Sequence, residues 1–272
     1  MTEIAFVETT VLADALLKRG VRRKAARAAL ARYTRTLLPA YAIREFRVGP
    51  LYNYCWLHNK LASSGSYAAA LDALHSLSMT PRRYRVATAL EALTAVAARF
   101  GKEGFEAAQA KHPEAQNSDA LLANYYRTAV RSLVLCAWAS RRKLTTDVVV
   151  PLACLPETAP RLRRGLLELE PRDCRPIGEC SMAGEFRRRK KELALLRTAN
   201  EKLPETGEQK RRGKALRALT RTPKREVTPV VCRNLGDAVF SLLAPAKAVI
   251  LTTNRRDHEP LAAALGKSVE TP

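Results

Sequence analysis

Five oxygen-bearing side chains fall where an apolar run ends or a helix opens, which is where a metal-assisted hydrolase would need them. Glu8 closes the run Ile4-Ala5-Phe6-Val7, and Glu45 follows the second apolar segment LLPAYAI (37–43). Asp237 opens the helical stretch GDAVFSLLAPA, and Asn254 and Asp257 follow the apolar run AVILTT. In an open parallel sheet the ligand crevice lies outside the carboxyl ends of the strands, so groups distant in sequence can converge there. Carboxylates crowded into one crevice repel one another unless a divalent cation offsets their charge, and Mg²⁺ or Mn²⁺ suits oxygen ligands. One or two such ions would orient a water, lower its pKa and stabilise charge on a phosphate during in-line attack. Taken singly, each acid also reads as a helix cap or a solvated surface group, and Asn254 and Asp257 equally suit turn chemistry.

The elements that must position these groups are legible in part. A buried strand at 4–7 leads into an amphipathic helix carrying Leu12, Ala15 and Leu16, followed by a densely basic stretch over 18–35. From about 51 to 140 apolar residues recur every three or four positions, the signature of successive helices. Residues 147–152 (DVVVPL) are β-branched and read as a strand, with Pro151 marking an edge or an end. Residues 156–185, rich in Pro, Gly and charge, read as irregular. The last forty residues read as helix, strand, helix closed by Gly266, and a final strand at KSVETP, which is a βαβ unit of a parallel sheet.

Charge is the outlying bulk property. The chain of 272 residues carries 47 Lys+Arg against 26 Asp+Glu, a formal net charge of +21. Self-repulsion of that size is usually relieved by a polyanion, so nucleic acid is the expected partner, ahead of an anionic membrane surface. Segment 187–225 alone holds 15 Lys+Arg and 4 Asp+Glu, and its Leu193 and Leu196 stay in helical register with Phe186 just before it. It is expected to be a basic helix and loop, with Arg187, Arg188, Arg189, Lys190, Lys191, Arg211, Arg212 and Lys214 contacting phosphates, which fix register without specifying sequence. No apolar run approaches the length of a spanning helix and the N-terminus lacks a secretory pattern, so a cytoplasmic protein with no membrane partner is expected.

The remaining candidates have plain readings. The six cysteines are scattered, with no C-x-x-C pair, and read mostly as small core residues; a zinc site on Cys154, Cys174 and Cys180 is the lesser alternative. Trp56, Tyr125, Tyr126 and Trp138 sit in helical registers and read as core, with base stacking the lesser alternative for one of them. His58, His75, His112 and His258 show no paired spacing, although His258, next to Asp257, could approach a phosphate.

The two ends of the chain resemble a known family. FVETTVLADALL resembles the opening of PIN-domain nucleases, where a strand ends in an acid and Val-Leu and a helix follow. GDAVFSLLAPAKAVILTTNRRDHEPLAAALGKSVETP resembles their closing segment, with an Asp opening a helix, a strand ending in Thr-x-Asn/Asp, and a following Asp and Pro-Leu. The resemblance implies an α/β fold: a PIN-like parallel sheet of four or five strands flanked by helices, here with a large, mostly helical insertion. Residues 1–50 and 232–272 would form the PIN-like core, 51–155 the helical insertion, and 156–231 a basic, partly irregular RNA-contacting segment. It further implies Mg²⁺- or Mn²⁺-dependent cleavage of single-stranded or structured RNA. Glu8, Glu45, Asp237 and Asp257 would be catalytic, and Glu8, Asp237, Asn254 and Asp257 would hold metal. The sequence departs from the family in three places. Glu8 stands where Asp is usual, Asn254 stands where many members have Asp, and the interval from Glu45 to Asp237 is long. These departures leave open a second expectation, a catalytically impaired RNA-binding protein acting in a ribonucleoprotein; a toxin held by an acidic inhibitor protein and a homo-oligomer are further possibilities.

Overall fold

The strands form because short, continuous apolar runs can be buried on both faces of a sheet only when helices cover it. In the computed structural model, which describes residues 4–80, 84–111, 118–149, 159–169, 181–221 and 227–272, five such strands form one sheet. They are β1 (Ile4–Val7), β2 (Arg35–Pro39), β3 (Asp147–Val149), β6 (Val249–Leu251) and β7 (Val269–Glu270). The order is β3-β2-β1-β6-β7, and every pairing is parallel. A separate two-stranded hairpin pairs β4 (Arg161–Arg163) with β5 (Leu166–Glu168). Consecutive residues Ala5, Phe6 and Val7, like Val249, Ile250 and Leu251, are buried, so both faces of the sheet are covered.

The covering helices run in order along the chain. The first group is α1 (Thr9–Leu17), α2 (Gly20–Ala31), α3 (Ala40–Phe46), α4 (Tyr52–Ser64), α5 (Tyr67–Ser78), α6 (Tyr84–Lys111) and α7 (Ser118–Ser140). The second is α8 (Ser181–Arg188), α9 (Lys190–Glu201), α10 (Gly207–Arg221), α11 (Pro229–Leu235), α12 (Asp237–Leu243) and α13 (Arg255–Ala263). A π-helical turn at Arg47–Leu51, containing Pro50, joins α3 to α4. Helix α4 packs on α7, and α7 in turn reaches α1, so the helical middle of the chain is continuous with the core under β1. Helices α9 and α10 pack on each other, α9 also lies against α12 and α13, and α10 lies against α11.

The expected parallel α/β architecture is therefore present, and β3, in the stretch 147–152 read as a strand at an edge or an end, supplies an edge strand of the sheet. Its neighbour Arg35 pairs with Asp147 at 3.0 Å, while Thr36 and Thr146 exchange bonds through their hydroxyls. The described parts of 156–185 differ from their irregular reading. Residues 161–168 form the hairpin and α8 starts at Ser181. Among the described residues no helix is long and apolar enough to cross a membrane.

Candidate functional site

The sheet order decides where the crevice lies. From β1 the chain steps to β2 and then to β3 on one side, while β6 and β7 lie on the other, so the carboxyl ends of β1 and β6 flank the switch point. Glu8 follows β1, and Thr252 follows β6. Their side chains meet there, the Thr252 hydroxyl donating to Glu8 Oε2 at 3.1 Å. The same oxygen accepts the Thr10 backbone N–H at 2.9 Å and the Thr10 hydroxyl. Glu8 thus caps α1, the plain reading of this acid, and is also buried in the crevice.

Two more acids enter from other elements. Glu45, on α3, accepts the hydroxyl of buried Thr9 at 2.8 Å. Asp237, the first residue of α12, is bonded on both oxygens: His258 Nε2 lies 3.2 Å from Oδ1, and Arg212 Nη1 lies 3.1 Å from Oδ2. Helix α12 is aimed at the crevice by its far end as well. Lys267 Nζ donates to the carbonyls of Ser241 at 2.6 Å and Ala244 at 2.5 Å, and Arg189 donates to Leu242. Cations at a helix C-terminus and an acid at its N-terminus both suit the helix dipole. Beneath the acids, Phe240 makes edge contacts with Phe6, Tyr41 and His258, giving the site an apolar floor.

The three carboxylates share one electrostatic environment. Burial pushes Glu45 up to about 7, with the charges of Glu8 and Asp237 adding to it and hydrogen bonds from Thr9 and Tyr41 opposing. Burial also lifts Glu8 above its ordinary value, and His258 and the Thr10 bonds offset this only in part. Burial alone would raise Asp237, but its bonds to His258 and Arg212 outweigh that and hold it below the usual carboxylate value. His258 is the mirror case: burial disfavours its charge, yet Asp237, Glu8 and Glu45 together hold it above its ordinary value. Its Nδ1 is buried with no hydrogen-bond partner among the described residues.

Glu8, Glu45 and Asp237 are thus brought together. Asn254 and Asp257 sit at the rim, where the Asn254 side-chain amide donates to Asp257 at 2.7 Å and Asn254 leads into α13. Glu208 joins this rim; burial raises its carboxyl, and the nearby charges of Asp237 and Asp257 raise it further.

The expected phosphate contacts divide. Arg187, Arg188, Lys190, Lys191, Arg211 and Lys214 are exposed. Arg189 instead bonds Glu185 and the Leu242 carbonyl. Arg212 is buried: its Nε bonds the Asn200 side chain at 2.9 Å while its Nη1 pairs with Asp237, so it belongs to the acidic crevice rather than to the basic surface.

Sequence reasoning missed Asn200, placed Arg212 among the phosphate contacts and read His258 only as a group that could approach a phosphate, although a signal for the inward positions existed. Arg212 heads the buried stripe Arg212, Ala215, Leu216, Leu219 of α10, and His258 heads His258, Leu261, Ala262 of α13. A polar residue at the head of an apolar stripe is aimed inward by the helix period. Cys154, Cys174, Cys180 and His112 lie outside the described residues, while Cys55 and Cys232 are buried.

The donor set, carboxylate oxygens with hydroxyls beside them, suits a hard divalent ion. Burial is the main reason that the carboxyls of Glu8 and Glu45 are raised, and the charge of Asp237 adds to both. Among the described residues no three His, Cys, Asp or Glu side chains are grouped to hold an ion in the present arrangement.

No family model, curated protein or solved structure matches this chain. The chemistry of the site therefore follows from its own side chains.

Proposed function

We propose that the protein is a metal-dependent ribonuclease of PIN-like type. The observation that supports this most is the convergence of Glu8, Glu45 and Asp237, from three separate elements, at the switch-point crevice of a parallel sheet. Glu8, Glu45 and Asp237 would hold Mg²⁺ or Mn²⁺, with Asn254 and Asp257 at the rim. Such an ion, when bound, supplies an activated water and stabilises charge on the phosphate. The protein's own groups do the rest. Thr9, Thr10 and Thr252 fix the carboxylates, His258 holds a proton against Asp237, and the exposed face of α8 to α10 holds the RNA backbone.

One observation favours a second reading, a non-catalytic RNA-binding protein. Both oxygens of Asp237 are already engaged by side chains of the chain itself, Arg212 and His258. Calorimetric titration of Mn²⁺ into the wild type and Asp237→Asn, together with cleavage of a labelled single-stranded RNA, separates the two. Mn²⁺ binding and cleavage that vanish in Asp237→Asn, with RNA affinity unchanged, support the nuclease. Metal-independent, salt-dependent RNA binding with no Asp237-dependent cleavage supports the second reading and sinks the first.

A further inference from the structure

The β4–β5 hairpin shares no residue with the acidic site and carries its own set of features. Its turn is two residues long, and both Arg164 (φ 49) and Gly165 (φ 79) have positive φ, as a type I′ hairpin turn requires. Gly takes that conformation freely, but an Arg there is strained by about 1–2 kcal/mol. Asn or Asp would fit the turn better, so the position holds a cation at the expense of stability. Arg161, Arg163 and Arg164 are all exposed. Cross-strand Glu168 approaches Arg163 only at 4.0 Å, and Arg161 and Arg164 have no ion pair among the described residues.

The hairpin is nevertheless anchored. Asn59 of α4 bonds both backbone groups of Leu167, donating to its carbonyl at 3.0 Å and accepting its N–H at 2.7 Å, as a neighbouring strand would. At its base lies a cleft of about 200 Å³ lined by Tyr52, Trp56, Lys60, Leu167 and others. That is smaller than the ~300–1,000 Å³ of sites that enclose whole small-molecule ligands. It suits one flat ring against one aromatic face. Arg85 already lies over the Tyr52 ring at 5.0 Å, which leaves half-buried Trp56 as the platform.

We infer that this hairpin and cleft form a binding site for single-stranded RNA, with Arg161, Arg163 and Arg164 on consecutive phosphates and one base stacked on Trp56. The pattern of a basic strip beside an aromatic face is how single strands are held without sequence preference. The inference deepens the RNA-directed reading above but uses none of the acidic residues.

The probe is a short labelled oligouridine, with binding followed by anisotropy across a salt series and by tryptophan fluorescence. The chain has only two tryptophans, and Trp138 is buried under Arg141, so quenching should report Trp56. Trp56→Ala should weaken binding about tenfold or more, the usual worth of one stacked base. In Trp56→Phe the quenching should disappear while binding is largely kept. The variant Arg161→Ala, Arg163→Ala, Arg164→Ala alters only exposed side chains, and should flatten the slope of log K against log salt by about 2, roughly 0.7 per lost phosphate contact. An unchanged salt slope in the triple variant, or quenching that survives in Trp56→Phe, overturns the inference. Loss of the nuclease reading would look different: no Asp237-dependent cleavage, with the hairpin's effects on binding intact.

Discussion

At the scale of single residues, the crevice is a place where charge is held at a cost. Burial, which disfavours its charged form, pushes the Glu45 carboxyl from its ordinary value of 4.5 up to about 7 in the folded chain. Between these values the folded state binds more protons than the unfolded state, so stability falls as pH rises through the window. Glu45→Gln removes that liability. Its stability relative to wild type should therefore be unchanged below about pH 4.5 and rise by about 1.4 kcal/mol per pH unit through the window, to an upper limit of a few kcal/mol. Urea midpoints at acidic and mildly alkaline pH measure it. Equal midpoints for the two proteins at alkaline pH would mean that Glu45 is more solvated in the folded chain than its burial implies. A group that destabilises the fold when charged is also one that a bound cation would relieve, which ties this measurement to the site's proposed chemistry.

At the scale of elements, what the sequence disclosed and what it hid have different physical causes. The closing helix-strand-helix-strand unit was readable because each piece carries its own punctuation: Asp237 at a helix start, the apolar run to Leu251, and Gly266 with φ 66 at a helix end. Glu8, Glu45 and Asp237 were readable as candidates because strand ends are where a parallel sheet gathers ligands. The hairpin was hidden because RLRRGLLE has the composition of a loop, and its alternation is carried by arginines rather than by apolar residues. Arg212 was hidden because a run of basic residues reads as uniformly solvated, whereas α10 turns one of them inward. That inward turn has a consequence. Arg212 is a tethered cation, held by Asn200 and seated on Asp237, and any metal ion at Asp237 must compete with it. Arg212→Met should raise Mn²⁺ affinity by about tenfold, corresponding to 1.4 kcal/mol of relieved competition. The same change should lower the urea midpoint, because Asp237 loses one partner and Asn200 another, at roughly 3–5 kcal/mol for a broken buried pair. Calorimetry and denaturation on the one variant read both effects, and weaker Mn²⁺ binding would show that Arg212 supports the metal site instead.

At the scale of the whole molecule, a net charge of +21 is far more than one acidic crevice could require. The excess is not spread evenly, since Lys190, Lys191, Arg211 and Lys214 are exposed on helices α9 and α10, the same pair that carries Arg212 into the crevice. One face of this pair is thus exposed and basic, while the other carries Arg212 to Asp237. If the exposed face carries the RNA backbone, replacing these four residues by Ala should flatten the dependence of log K on log salt by up to about 3, at roughly 0.7 per phosphate contact on a single strand. None of the four bonds Glu8, Glu45 or Asp237 among the described residues, so cleavage at saturating RNA should keep its kcat while KM rises, the signature of lost uniform binding. Anisotropy over a salt series and initial rates over RNA concentration measure the two quantities. A kcat that falls with the slope would mean that occupancy of α9 and α10 is transmitted to Asp237 through Arg212. An unchanged slope would move the RNA path to another basic surface, and the exposed arginines and lysines of α2 are the next to replace.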